Sequence, residues 1–338
     1  MPNPPAACGV ACATGARLGL GGAPLGNLFQ AVGEAQAQAV LAAALADGCQ
    51  RFDTAPHYGN GLSEQRFGQA LRQQPRTRFV LSSKVGRVLR PDVQAARDQN
   101  GYVDVLPFTQ RWDYSAAGTR RSVEDSLQRL GLAHLDLAYV HDCDAATHGT
   151  AYPQVLAQVL AETLPTLRAL QREGLVGAVG LGVNDVQVCL DVLAQAELDG
   201  LLLAGRYTLI DHGALAALLP LCQARGVRVA LGGVFNSGIL ATGVQGGAEP
   251  RFDYAGAPQA WIARTAAVER ICADHGVPLR AAALQFPLAH PAVDTVVAGA
   301  QDVAQWQDSR AMLARPIPAA FWQALRTQGL LPQQAPTP

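Results

Sequence analysis

Short, almost uninterrupted apolar runs recur along the chain, at residues 17–21, 50–55, 79–85, 135–141, 176–183, 198–210, 227–234 and 293–298. Strands buried on both faces of a parallel sheet read as continuous runs of this kind, and the intervals between them are too long for hairpins. The intervals carry helical periodicity instead. Residues 34–46 and 64–71 form the first two helical windows, with Ser63 a natural N-cap for the second. Val123, Leu127 and Leu130 then share one face, and Gly131 supplies a stop signal. Residues 153–174 place Val155, Leu156, Val159, Leu160, Leu164, Leu167 and Leu170 on one broad apolar face. The windows 185–196, 213–225, 259–275, 302–313 and 319–327 follow the same rule.

Strand and helix alternate eight times without a break in composition. That pattern predicts an α/β fold of the (β/α)8 TIM-barrel kind, one domain over residues 1–338. The rival is a doubly wound sheet, which would want G-x-G-x-x-G after its first strand. Gly19 and Gly21 are followed by Pro24 at the third position, and Gly180 and Gly182 by Asp185, so neither copy fits. The terminal stretches, about 1–16 and 332–338, are expected to be flexible tails.

Composition narrows the partners more than the fold. The chain has 338 residues, 49% of them hydrophobic, which is ample for a large core. With 26 Lys+Arg against 27 Asp+Glu and a net charge of −1, it carries no footprint for nucleic acid or a membrane surface. Phosphate would have to be bound by local amides and a few side chains. Cysteines stand at 8, 12, 49, 143, 189, 222 and 272, with no CxxC pair and no zinc-ligand spacing. Reduced thiols, no signal-peptide pattern and no apolar stretch of ~18 residues give the expectation of a soluble cytoplasmic protein without a metal. Its partner is a small molecule. No pattern specifies an oligomeric state.

The second apolar run ends Phe52-Asp53-Thr54-Ala55-Pro56-His57-Tyr58-Gly59, the third Ser82-Ser83-Lys84-Val85-Gly86 and the fourth Tyr139-Val140-His141-Asp142. In a barrel these ends are neighbours on the face that carries active sites. One buried Asp, Lys or His is accounted for by a core ion pair. Four chemical groups at three successive strand ends are not. Lys84 near Tyr58 would favour the phenolate, Asp53 would anchor Lys84, and His141 would hydrogen-bond a substrate oxygen. Tyr58 is then the acid/base. His57, beside Tyr58, and Trp112 and Tyr114, in the long segment 86–119, are candidate substrate residues, with loop packing the alternative for each.

These residues resemble the aldo-keto reductase superfamily over nearly the whole chain. The resemblance is carried by Phe52-Asp53-Thr54-Ala55-x-x-Tyr58-Gly59 with Ser63-Glu64, by Ser82-Ser83-Lys84 and by His141. The segments Gly22-Ala23-Pro24-Leu25-Gly26-Asn27, Ala204-Gly205-Arg206-Tyr207-Thr208-Leu209, Gly233-Val234-Phe235-Asn236-Ser237-Gly238 and Leu284-Gln285-Phe286-Pro287-Leu288 narrow it. They resemble the branch of aldose 1-dehydrogenases (L-fucose, D-threo-aldose and L-galactose types) that also holds pyridoxal 4-dehydrogenases.

The resemblance implies a barrel of aldo-keto-reductase type with a nicotinamide dinucleotide extended across its mouth. Asn184 would hold the carboxamide, and Phe235, Asn236, Ser237, Gly238 and Leu240 would wrap the pyrophosphate. Gly299, Gln301, Gln305, Asp308 and Ser309 would lie along the adenosine. Gly299 and Gln305 stand where relatives that use NADP place cations, which implies NAD over NADP. Ala204 and Gly232 replace groups that contact the nicotinamide, leaving Tyr207 or Phe235 to do so. The implied reaction is oxidation of an aldose at C1 to the aldonolactone, with Tyr58 as base. Another alcohol/aldehyde pair such as pyridoxal, a nucleotide-sensing subunit and a Lys84 Schiff-base aldolase are the alternatives.

Overall fold

The computed structural model describes residues 17–246 and 249–338. Cys8, Cys12 and the tail expected over 1–16 lie outside the described residues. The eight apolar runs become β1 (Leu18–Gly21), β2 (Arg51–Asp53), β3 (Val80–Val85), β4 (Leu135–His141), β5 (Val176–Val183), β6 (Gly200–Ala204), β7 (Arg228–Gly232) and β8 (Val293–Gly299). Each pairs in parallel with its neighbours in chain order, and β8 closes onto β1. The fold is a (β/α)8 TIM barrel.

Register explains why the strand-end groups meet. Asp53 pairs with Ser82, Lys84 lies two residues further on and pairs with Tyr139, and His141 again lies two further on. A step of two keeps the same face of a strand, so Asp53, Lys84 and His141 share one face and climb with the stagger of the barrel.

The helices depart from the sequence reading in particular places. Leu62–Leu71 starts before Ser63, so Gly61 in a left-handed conformation is the N-cap. Ser63 is buried instead, its hydroxyl accepting a 2.8 Å bond from Thr54 Oγ1. The 153–174 window is two helices, Tyr152–Gln158 and Leu164–Arg172, joined by a π-turn over Val159–Thr163. Window 213–225 shortens to Leu218–Arg225. Run 198–210 overshoots β6, because Gly205 at φ 70° turns the chain while Tyr207, Leu209 and Ile210 stay buried beyond it.

Two features are new. Leu279–Gln285 is a seven-residue helix in which Ala281, Ala282, Ala283 and Leu284 are all buried, a continuous run too short to show a helical period. Within segment 86–119, Arg87–Pro91 and Phe108–Trp112 pair as an antiparallel hairpin. At the other end of the chain, where composition reads as a frayed tail, Ala335 is buried and its carbonyl accepts a 2.7 Å bond from Arg326. No helix among the described residues is long and apolar enough to cross a membrane.

Candidate active site

Asp53 is gripped on both oxygens. Ser82 Oγ donates to Oδ1 at 2.6 Å and Lys84 Nζ to Oδ2 at 2.8 Å. Lys84 also donates to the Thr54 carbonyl at 2.9 Å, which satisfies an ammonium buried almost completely. The chain then turns through Gly59, Asn60 and Gly61, all at positive φ. Asn60 is held in that strained conformation by Nδ2 bonds to Leu106 O and Phe108 O at 3.2 and 2.5 Å. The turn sets the Tyr58 ring 4.6 Å from Lys84 Nζ, and His141 meets that ring edge-on with centroids 6.2 Å apart. A methyl group at Gly26 would lie 2.6 Å from the Tyr58 carbonyl carbon, so the β1 loop packs directly on the Tyr58 backbone.

Burial, and next the Asp53 carboxylate, push the Tyr58 phenol well above its ordinary range. The net direction is therefore upward, against the expectation of a phenol lowered by Lys84. The ammonium is engaged by Asp53 and Thr54 and faces the ring, and the phenol keeps its proton at neutral pH. Burial, then the positive charge of Lys84, push His141 well below the usual imidazole range, so it is neutral. Its Nδ1 is buried without a partner, and its Nε2 lies 3.6 Å from Asp142 Oδ2. A neutral phenol and a neutral imidazole thus face one another over a buried ion pair. Such a group can hydrogen-bond one substrate oxygen and move its proton.

The 87–112 hairpin builds one wall of this mouth. Arg87 donates to Asp142 Oδ2 at 2.6 Å and to Gln110 Oε1 at 3.1 Å, and its guanidinium lies 3.8 Å over Trp112. His57 Nδ1 is 2.9 Å from the same Gln110 oxygen, and burial with the Arg87 charge pushes this imidazole down to about 3. Tyr102 stacks on Tyr58 at 6.0 Å and meets His57 edge-on at 5.1 Å. Trp112 is exposed at the rim. Tyr114 is buried, with its hydroxyl 2.8 Å from the His141 carbonyl and 3.0 Å from His148 Nε2. It fixes the His141 backbone, the packing role that was the alternative for this residue.

Sequence reasoning missed Arg87, Tyr102, Gln110 and Asp142. Asp142 adjoins His141 and Arg87 follows Lys84 by three, so proximity to the motifs was a usable signal. Tyr102 and Gln110 had none, since only the hairpin brings them in.

The expected cofactor residues form a band along the rim from β5 to β8. Asn184 Nδ2 lies 3.4 Å from the Tyr254 hydroxyl, and the Asn184 carbonyl accepts from Arg206 Nε at 2.6 Å. Beside it, Ala204 and Gly232 end β6 and β7 in register and leave a flat floor. Asn236 donates to Gly205 O at 3.2 Å, and its buried Oδ1 has no partner. Ser237 Oγ accepts from the Tyr254 amide at 2.9 Å. Phe235 packs at the core edge, and Gly238 at φ 109° opens the turn Ile239–Thr242.

Two assignments here need correction. Tyr207 is wholly buried, 5.2 Å from Phe286, and its neighbour Arg206 takes the rim with two bonds to Asp253 at 2.9 and 2.8 Å. Leu240 is core, and the amides of Asn236, Gly238 and Leu240 already donate to Gly233 O and Phe235 O. Those three amides are used inside the loop and are not open phosphate donors.

At the end of β8, a methyl group on Gly299 would lie 2.6 Å from Pro24 Cγ. The Gln301 amide donates to Gln305 Oε1 at 2.9 Å, and Gln36 donates to Gln301 O at 2.9 Å. Asp308 is bidentate to Arg280 at 2.7 and 3.1 Å, and Ser309 is buried. Among the described residues no group of three His, Cys, Asp or Glu could hold a metal ion. The five described cysteines are buried and free.

A protein-family model described as the aldo/keto reductase family matches residues 17–328. The chain is 42% identical to a pyridoxal 4-dehydrogenase of Microbacterium luteolum, over 93% of this chain and 94% of that one. It is 38% identical to a D-threo-aldose 1-dehydrogenase of a Pseudomonas species, over the same shares. Among solved structures, an aldo-keto reductase from Bacillus halodurans in holo form superposes with a TM-score of 0.71 at 24% identity, over 94% of each chain.

Proposed function

The chain belongs to the aldo/keto reductase family of oxidoreductases, and we propose that it oxidises a cyclic hemiacetal, an aldose at C1, to the lactone with NAD as cofactor. The observation that carries this reading is the Tyr58–His141 pair set over the buried Lys84–Asp53 ion pair. The rim fits a nicotinamide dinucleotide. The Asn184 amide, the unpartnered Asn236 Oδ1 and the flat Ala204–Gly232 floor suit a planar carboxamide-bearing ring. When bound, the oxidised nicotinamide supplies a hydride acceptor and a positive charge.

Tyr58 and His141 would share the anomeric oxygen, His141 orienting it and Tyr58 taking its proton. A cation in the mouth opposes the effect of Asp53 on Tyr58 and makes the phenolate accessible. In the reverse direction Tyr58 already carries the proton it would deliver. NAD is favoured because Gly299 and Gln305 offer no cation and Arg280 is committed to Asp308. Pro24 fills the space a side chain at 299 would need.

A second reading, pyridoxal as substrate, is favoured by the aromatic cluster of Tyr58, Tyr102 and His57 and by the 42% identical relative. Pyridoxal carries its aldehyde beside a hydroxymethyl group and closes to a hemiacetal too, so the chemistry asked of Tyr58 is the same.

NAD+ reduction measured over L-fucose, L-galactose, D-arabinose, other aldoses and pyridoxal, with NADP+ in parallel, tests the proposal. NAD-linked turnover of an aldose is expected. Turnover of pyridoxal alone selects the second reading. Preference for NADP+, or tight nucleotide binding without any turnover, overturns the assignment.

A further inference from the structure

The small hairpin of Arg251–Phe252 and Ala255–Gly256 reaches several strand ends at once. Arg251 lies 4.6 Å over Phe29 of the β1 loop, and Asp253 accepts two bonds from Arg206 after β6. The Tyr254 amide donates to Ser237 after β7, and the Tyr254 hydroxyl reaches Asn184 after β5. Asp253 and Tyr254 are successive non-glycine residues at φ 48° and 65°, a conformation L side chains rarely adopt. The strain is held by the Arg206 clamp and the Ser237 hydroxyl, and strain held in this way marks functional positions.

Its effect is to present one aromatic ring at the mouth. Tyr254 is 53% exposed, so it is not there to complete the core. Asn184, which its hydroxyl touches, lies two residues beyond Gly182, the register partner of His141, so the ring stands next to the strand end that carries His141. Directly beside Asn184, β6 and β7 end in Ala204 and Gly232, which offer a flat surface but no ring.

We propose that Tyr254 is a cofactor-contacting residue whose ring packs on one face of the nicotinamide, beside the small Ala204 and Gly232, and leaves the other face to substrate. Its hydroxyl occupies the Asn184 amide until the carboxamide takes that place. The inference rests on the nucleotide-binding reading above. A planar heteroaromatic ring gains from an aromatic neighbour on its face, and the hydroxyl contact at 3.4 Å is long enough to be given up readily.

Calorimetric titration of wild type, Tyr254→Ala and Tyr254→Phe with NADH and with ADP-ribose, which lacks the nicotinamide, separates the cases. Tyr254→Ala is expected to weaken NADH about three- to tenfold while ADP-ribose stays within about twofold. Tyr254→Phe keeps the ring and is expected to hold both ligands within about twofold of wild type. ADP-ribose binding also reports that each variant is folded. Unchanged NADH affinity in Tyr254→Ala, equal losses for both ligands, or a Tyr254→Phe as weak as Tyr254→Ala would each overturn the role given to the ring. Wild type binding neither ligand would overturn the nucleotide reading itself, and the Tyr254 proposal with it.

Discussion

Asp53 and Lys84 are both almost completely buried, and each is the other's main compensation. Removing one leaves an uncompensated charge inside the barrel, which typically costs about 3–5 kcal/mol. Asp53→Asn should therefore lower the urea midpoint strongly, and the double variant Asp53→Asn/Lys84→Met should recover part of the loss. Equal midpoints for the single variant and wild type would show that the pair is not what satisfies the ammonium. The imidazoles give a pH signature. His57, held down to about 3, and His141, well below 6.5, stay neutral in the folded chain. The unfolded chain takes up protons near 6.5 that the folded chain refuses, so stability rises with pH across that window. This contribution is complete above 6.5 and is lost as pH falls towards 3. Urea unfolding at about pH 7 and about pH 5 should show wild type weakening on acidification and His57→Gln weakening less. At this scale the sequence was most readable where a titratable residue interrupts an apolar run, as Asp53, Lys84 and His141 do. It was least readable for Tyr102 and Tyr114, whose surroundings come from distant segments.

Loops and short elements decide where those residues point. The β1 loop touches the site twice, with Gly26 against the Tyr58 backbone and Pro24 against Gly299. Gly26→Ala should displace Tyr58 and cost about a hundredfold in kcat, the scale expected for a misplacement of ~1 Å, while NADH affinity is retained. A parallel loss of NADH affinity would mean that the loop serves the cofactor instead. Gly299→Lys, the obvious way to attract a 2′-phosphate, meets Pro24 and should lower stability by roughly 1–3 kcal/mol without conferring NADP use. Adding Pro24→Ala should relieve the clash, and a thermal melt with an NADP+ titration reads both effects. The hairpin that carries Arg87, Gln110 and Trp112 was invisible to hydrophobic pattern because Phe108–Trp112 reads Phe-Thr-Gln-Arg-Trp and is mostly polar. The helix Leu279–Gln285 was missed because it is short and its run of buried residues, Ala281 to Leu284, is continuous. Loop-held assignments such as Tyr207 failed because the turn at Gly205 decides which of Arg206 and Tyr207 faces the rim.

For the molecule as a whole, the barrel follows from repetition. Eight continuous apolar runs separated by amphipathic helices leave a closed parallel sheet as the arrangement that buries every run on both faces. Closure and stagger then bring Asp53, Lys84 and His141 to one level, a consequence of register that no single segment contains. What pattern could not supply is the direction of the Tyr58 proton. Motif logic makes the phenol a ready base, whereas burial and the Asp53 charge push it up. Tyr58 is the group proposed to move the proton. The direct test is rapid-mixing measurement of NADH formation at saturating substrate by wild type and Tyr58→Phe, with NADH affinity measured on both. A loss of about 10²–10⁴-fold in rate, with affinity within about twofold, is the predicted result. A Tyr58→Phe enzyme that turns over like wild type would contradict it.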